Sequence, residues 1–140
     1  MATTPKTVLV VDDYQPLLTL IARQLDGMSF KVATASHAEA ALRWCEDNGP
    51  PDLLLTDVCM PDVDGPQLYL LLSDRFPSLP VIFMSATARY LPGQKPTPLL
   101  EKPFSWDRLQ SMVETALLAE QRSVADPIEE SARQTPMPSG

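Results

Sequence analysis

Four short apolar runs each break off at a residue able to do chemistry, and this pattern constrains the fold more than any other feature. Val8–Val11 runs into Asp12 and Asp13, and Leu53–Thr56 into Asp57. Val81–Met84 runs into Ser85, and Leu99–Glu101 into Lys102 and Pro103. Each run is strand-sized and far too short to cross a bilayer. Apolar at nearly every position, they read as strands buried on both faces, the mark of a parallel sheet covered by helices. Lys31–Ala35 is a further strand. Between the strands the period changes to helical. Leu17, Leu18, Ile21 and Leu25 form one stripe, with Pro16 in the first turn and Gly27 as a stop. Ala38, Ala41, Leu42 and Cys45 form a second, ended by Asn48, Gly49, Pro50 and Pro51. Leu68, Leu71 and Leu72 form a third, opened by Asp64, Gly65 and Pro66 and closed before Pro77. Trp106, Leu109, Val113 and Leu117 form the last, with Ser105 as N-cap and Asp107 in its first turn. Strands alternating with helices and joined by right-handed crossovers predict a doubly wound, three-layer α/β fold.

The interval between Ser85 and Leu99 breaks this rhythm. Pro92, Gly93, Pro96 and Pro98 leave room for little more than one helical turn, near Ala88–Leu91. From Trp106 onward there is no further aromatic residue, and the last stretch is polar with scattered prolines. Such a segment buries too little apolar surface to offset its ordering entropy. The expected organisation is a folded body over residues 5–121 and a disordered tail over 122–140. Lys and Arg number 11 against 18 Asp and Glu, a net charge of −7 that argues against a nucleic-acid partner. The N-terminus lacks the apolar stretch of a signal peptide. Two cysteines make no disulfide framework, and His37 alone makes no zinc cluster. These features predict a soluble, cytoplasmic single domain with no membrane association.

In an open α/β sheet the reactive crevice lies at the carboxyl ends of the strands. The expected fold brings Asp12, Asp13, Asp57, Ser85 and Lys102 to that edge. Three carboxylates brought together repel one another, so the site calls for a counter-charge. A Mg²⁺ ion suits it, being a hard cation that takes oxygen ligands and is shared between carboxylates and a phosphoryl group. Lys102 adds a compact positive charge for a phosphoryl oxygen, and Ser85 a hydroxyl. The set is a place to put a phosphoryl group on a carboxylate. Each residue also has a plainer reading. Asp12 and Asp13 alone would cap a helix, Ser85 a turn, and Lys102 would sit on the surface. Cys59 reads as a residue whose thiol is incidental, Cys45 as core, and His37 as a solvated residue at the start of the second helix.

The order Val8–Asp13, Asp57–Pro61 with Asp64 and Gly65, Met84–Ala86, then Lys102–Phe104 resembles the receiver domain of two-component response regulators, the CheY-like family. The likeness spans about residues 7–118. It implies a five-stranded sheet of order 2-1-3-4-5 with five helices, the fourth shortened or irregular here. It implies that Asp57 accepts a phosphoryl group from a histidine kinase or a phosphotransfer histidine. Asp13, Asp57 and the backbone carbonyl of Cys59 would ligate Mg²⁺, with Asp12 acting mainly through water. Ser85 and Lys102 would hold phosphoryl oxygens, and the Lys102–Pro103 peptide would be cis. No enzymatic turnover of another substrate is implied, beyond phosphoryl transfer to the chain itself and slow loss of that group.

The chain also departs from the family pattern. Leu99 stands three positions before the lysine, where receivers commonly carry an aromatic, and only 16 residues separate Ser85 from Lys102. Output through the face formed by helix four, strand five and helix five is therefore not expected, and the chain should remain monomeric. The leading expectation is a switch without an attached DNA-binding or enzymatic output domain. A receiver excised from a hybrid kinase and a pseudo-receiver that only binds are the alternatives. An aspartyl-nucleophile phosphatase is more remote, because that chemistry needs an acid where Cys59 stands.

Overall fold

The computed structural model of the chain describes residues 5–86 and 99–125. Their order is β1 (Thr7–Val11), α1 (Gln15–Gly27), β2 (Lys31–Ala35), α2 (Ala38–Asn48), β3 (Leu53–Asp57), α3 (Gly65–Arg75), β4 (Val81–Ser85), β5 (Leu99–Glu101) and α4 (Trp106–Ala125). The strands form one sheet, parallel as the sequence pattern predicts and in the order β2-β1-β3-β4-β5 that the family resemblance implies.

Side chains alternate across the sheet and feed two separate apolar layers. Leu9 and Val11, Leu54, and Val81 and Phe83 pack with Ala41 and Cys45 of α2 and with Leu68 and Leu72 of α3. Val8 and Val10, Leu53 and Leu55, and Ile82 and Met84 face the other way, against Leu18, Ile21 and Leu25 of α1 and Leu109 and Val113 of α4. All five residues of β3 and of β4 are buried, which is why those runs carry no alternation in the sequence. Two residues expected in apolar stripes lie further out. Leu71 is 50% exposed and Trp106 36%. On α3 the sheet covers a narrow arc, which Gly65, Leu68 and Leu72 fill at helical spacing. Leu71 stands about 100° around the helix from Leu72 and faces outward.

Helix ends follow local chemistry. Asp64 caps α3 by accepting the Gln67 N–H while the Gln67 side chain accepts the Asp64 N–H, a reciprocal capping box. The Ser105 hydroxyl accepts the Arg108 N–H at the start of α4. His37 is exposed, as expected, but it also caps α2, its Nδ1 accepting the Ala40 N–H at 3.2 Å. The last helix is assigned as far as Ala125, past the expected end of the body at 121. Ala119, Glu120, Gln121 and Arg122 are strong helix formers, and the next proline is Pro127. The shortened helix expected between β4 and β5 falls mainly on residues 87–98, which lie outside the described residues, as does the tail from 126 onward.

These layers predict a sharp contrast between two leucines. Leu55→Ala opens a cavity in a fully buried strand and should cost about 2–5 kcal/mol. Leu71→Ala on the exposed arc should stay within about 0.5 kcal/mol of the parent. Urea unfolding of the two variants checks this, with equal losses counting against the layer assignment.

Candidate functional site

Backbone hydrogen bonds carry the strand ends to a common edge. The Asp12 N–H donates to the Ala35 carbonyl of β2 at 3.2 Å, the Val58 N–H to the Met84 carbonyl at 2.8 Å, and the Lys102 N–H to the Ser85 carbonyl at 2.8 Å. The ladder thus reaches past the apolar runs and fixes the backbone beside each polar residue. Asp12, Asp57 and Ser85 are buried there, while Asp13 is exposed. The Lys102–Pro103 peptide is cis.

The expected site residues converge. One carboxylate oxygen from each of Asp12, Asp13 and Asp57 lies within 4.8 Å of the others. Lys102 Nζ stands 3.0 Å from Asp12 Oδ2 and 3.2 Å from Asp57 Oδ1, bridging the two buried acids. Asp12 is the closer anchor of the lysine, and its other oxygen accepts the Tyr14 N–H at 2.9 Å. Cys59 is exposed in the loop between β3 and α3, which the Gly65 N–H closes by donating to the Val58 carbonyl at 2.9 Å. Asp62 turns that loop in the left-handed region, at φ 68°. Cys45 lies in the core, where burial pushes its thiol up and Arg75 opposes the shift.

Among the described residues one ammonium, that of Lys102, stands against the three carboxylates, which leaves the cluster with surplus negative charge. Burial raises the Asp57 carboxyl above its ordinary range, and Asp12 adds to this. Lys102 opposes them through its charge and hydrogen bond, and Asp13 pushes upward again. Burial draws the Lys102 ammonium down, but the Asp12 hydrogen bond and the charges of Asp57 and Asp12 hold it above its usual value. An all-oxygen donor set with surplus negative charge fits Mg²⁺ well, since that ion takes one or two carboxylates and keeps several waters.

One residue's role and one pairing escape a reading of the sequence. Gly65 appears there only as a helix opener. In the fold it packs directly on the Asp57 carbonyl, with no room for a Cβ. Asp12 could not be matched to Lys102 from a separation of 90 residues. Leu99, where an aromatic is common, is partly buried, pairs across the sheet with Phe83 and packs in the α2/α3 layer. The Phe83 ring meets Tyr69 edge-on at 6.0 Å.

The profile of the response regulator receiver domain matches residues 8–114. The chain belongs to that family. Among curated relatives it is 35% identical over 116 residues to the DNA-binding transcriptional regulator NtrC of Azospirillum brasilense, covering 79% of this chain and 24% of that one. It is 35% identical over 139 residues to the response regulator Rre1 of Synechocystis sp., covering 92% and 58%. The chain thus spans about a quarter of one relative and under two thirds of the other. Among solved structures it superposes on the receiver domain of the hybrid histidine kinase CckA with a TM-score of 0.69 at 31% identity, covering 79% of this chain and 98% of that one. The receiver is a phosphorylatable signalling module of two-component systems, and Mg²⁺ binding at an acidic pocket is a general property of its family. No helix among the described residues is long and apolar enough to cross a membrane.

Burial of Asp57, with the neighbouring acids adding to it, predicts an unusual pH response. Because folding raises the Asp57 pKa, the protonated form is favoured in the folded state. The group's contribution to stability is fully present below its unfolded value and is lost as pH rises through the folded one. Asp57→Asn should therefore stabilise the metal-free receiver at neutral pH by about 1 kcal/mol, a few degrees in Tm. The gain should vanish below the ordinary carboxylate value of 3.8. Paired thermal melts across pH would refute this account if the gain were independent of pH.

Proposed function

We propose that this receiver is a phosphoryl-accepting switch with Asp57 as the acceptor and a phosphohistidine, on a histidine kinase or a phosphotransfer protein, as the donor. The Lys102 ammonium held between Asp12 and Asp57 carries this reading, because it is a positive charge kept beside the one carboxylate that ends a fully buried strand. A carboxylate oxygen of Asp57 attacks phosphorus as the P–N bond breaks, and the departing imidazole nitrogen takes the electron pair. Lys102 turns from Asp57 toward a phosphoryl oxygen, and Ser85, buried at the adjoining strand end, is suited to a second. Asp12 retains the lysine on its other side. When bound, Mg²⁺ would offset the charge on the transferring group, with Asp13, Asp57 and the Cys59 carbonyl as its protein ligands. The folded unit on this reading is a receiver body over residues 5–121.

Incubation with Mg²⁺ and acetyl phosphate should add a single phosphoryl group, seen by intact mass spectrometry and labile to hydroxylamine. Chelation, Asp57→Asn and Asp13→Ala should each abolish it, whereas Cys59→Ser should leave Mg²⁺ affinity by calorimetry near that of the parent. An unmodified mass would leave only a binding module, and an adduct surviving Asp57→Asn would name a different acceptor.

On the same reading the switch stays monomeric when phosphorylated. The support is the sequence, where each proline inside a helix between Ser85 and Leu99 would cost about 3 kcal/mol. Light scattering with and without beryllofluoride tests this, a fluoride-dependent dimer being the contrary result.

A further inference from the structure

Thr56 is fully buried, yet the phosphoryl-transfer reading gives it no role. Its neighbours in the same layer of β1 and β3, Leu9, Val11 and Leu54, are apolar. A hydroxyl in such a layer is costly unless it is hydrogen-bonded. Thr56 Oγ1 donates to the carbonyl oxygen of the next residue, Asp57, at 3.1 Å. That carbonyl lies where the β1–β3 ladder has run out. The last paired residues are Val11 and Thr56, and the Asp12 N–H is turned to β2. On its far side the same carbonyl is covered by Gly65, the first residue of α3.

We infer that Thr56 is a positioning residue for the acceptor: its hydroxyl holds the Asp57 peptide at the end of the ladder, between the strand and the foot of α3. The inference rests on Asp57 being the acceptor. A carboxylate that must meet both Lys102 and a phosphorus atom depends on the torsions of its own backbone. With Val58 tied to β4 and the β1–β3 pairing ended at Thr56, the hydroxyl bond and the close approach of Gly65 oppose rotation of the peptide joining Asp57 to Val58.

The test compares Thr56→Val, which keeps the shape and removes the hydroxyl, with Thr56→Ser, which keeps the hydroxyl and loses a methyl. Each protein is phosphorylated by acetyl phosphate at saturating Mg²⁺, under conditions where urea titration shows it fully folded. The Asp57 backbone carbonyl ¹³C resonance is recorded without phosphodonor. Thr56→Val should slow phosphorylation about three- to ten-fold, the worth of one hydrogen bond, and shift the resonance. Thr56→Ser should restore both, even if it is the less stable protein. A purely structural role would lower stability in both variants and leave the rate of folded protein unchanged. A parent-like rate in Thr56→Val, or a serine variant as slow as the valine one, overturns the inference. If the valine variant does not fold, Thr56→Ala takes its place in the comparison. If the parent itself takes no phosphoryl group, the proposed function fails instead. The brace then stands or falls on whether removing the hydroxyl moves the carbonyl resonance.

Discussion

Three carboxylates share the carboxyl edge of the sheet with one ammonium among the described residues, and much of the fold serves to keep them there. Left to themselves, Asp12, Asp13 and Asp57 would move apart, since like charges within a few ångströms repel strongly once partly removed from water. Asp12 and Asp57 have no such freedom. Each follows a run of fully or nearly fully buried residues, and lifting either strand end would expose apolar side chains in both layers of the core. The favourable burial of the strands thus offsets the unfavourable crowding of their ends. Lys102, arriving from the edge strand β5, relieves part of the repulsion and leaves the remainder available to a cation.

The same edge depends on contacts that look remote from any chemistry. The reciprocal cap between Asp64 and Gln67 sets where α3 begins, and Gly65 then lies flat against the Asp57 carbonyl. A side chain at Gly65 would have to displace backbone, since the atoms in its way are the carbonyl of Asp57 and the Cα of Val58. Packing of Leu68 and Leu72 beneath the sheet fixes the helix axis, so the apolar layer, the cap and the acceptor strand form one mechanical unit. Thr56 joins this unit from within the strand, spending its only hydroxyl on the same carbonyl. Function here sits on rigid elements, and the loops supply turns and ligand atoms around them.

What could be read in advance follows the range of the interactions involved. Asp57 was legible because it directly follows four consecutive strand residues, a purely local signal. The caps at Asp64 and Ser105 were legible for the same reason, since their partners lie three residues away. His37 was not, because a histidine cap is a matter of rotamer and ring orientation, and no pattern marks it. Leu71 illustrates a different limit. Helical spacing gives a stripe, but how wide a stripe the sheet can cover depends on the neighbouring helix and on the curvature of the layer. Gly65 was visible as a helix opener, and its second duty depends on which backbone atoms the fold brings against it.

Local pattern in the chain encodes the class of fold, the helical stripes that face the sheet, and the residue at the end of each strand. These are encoded by periodicity and by short-range turn chemistry, which act over a few residues and need no knowledge of the rest of the chain. How those residues meet is set by long-range packing. Lys102 bridges Asp12 and Asp57 across 90 and 45 intervening steps of chain, and Gly65 and Thr56 converge on one carbonyl from a helix and a strand. Such pairings are set by strand order and register, which are collective outcomes of burial. A charge pattern names the candidates, but the sheet selects which of them come within hydrogen-bonding distance.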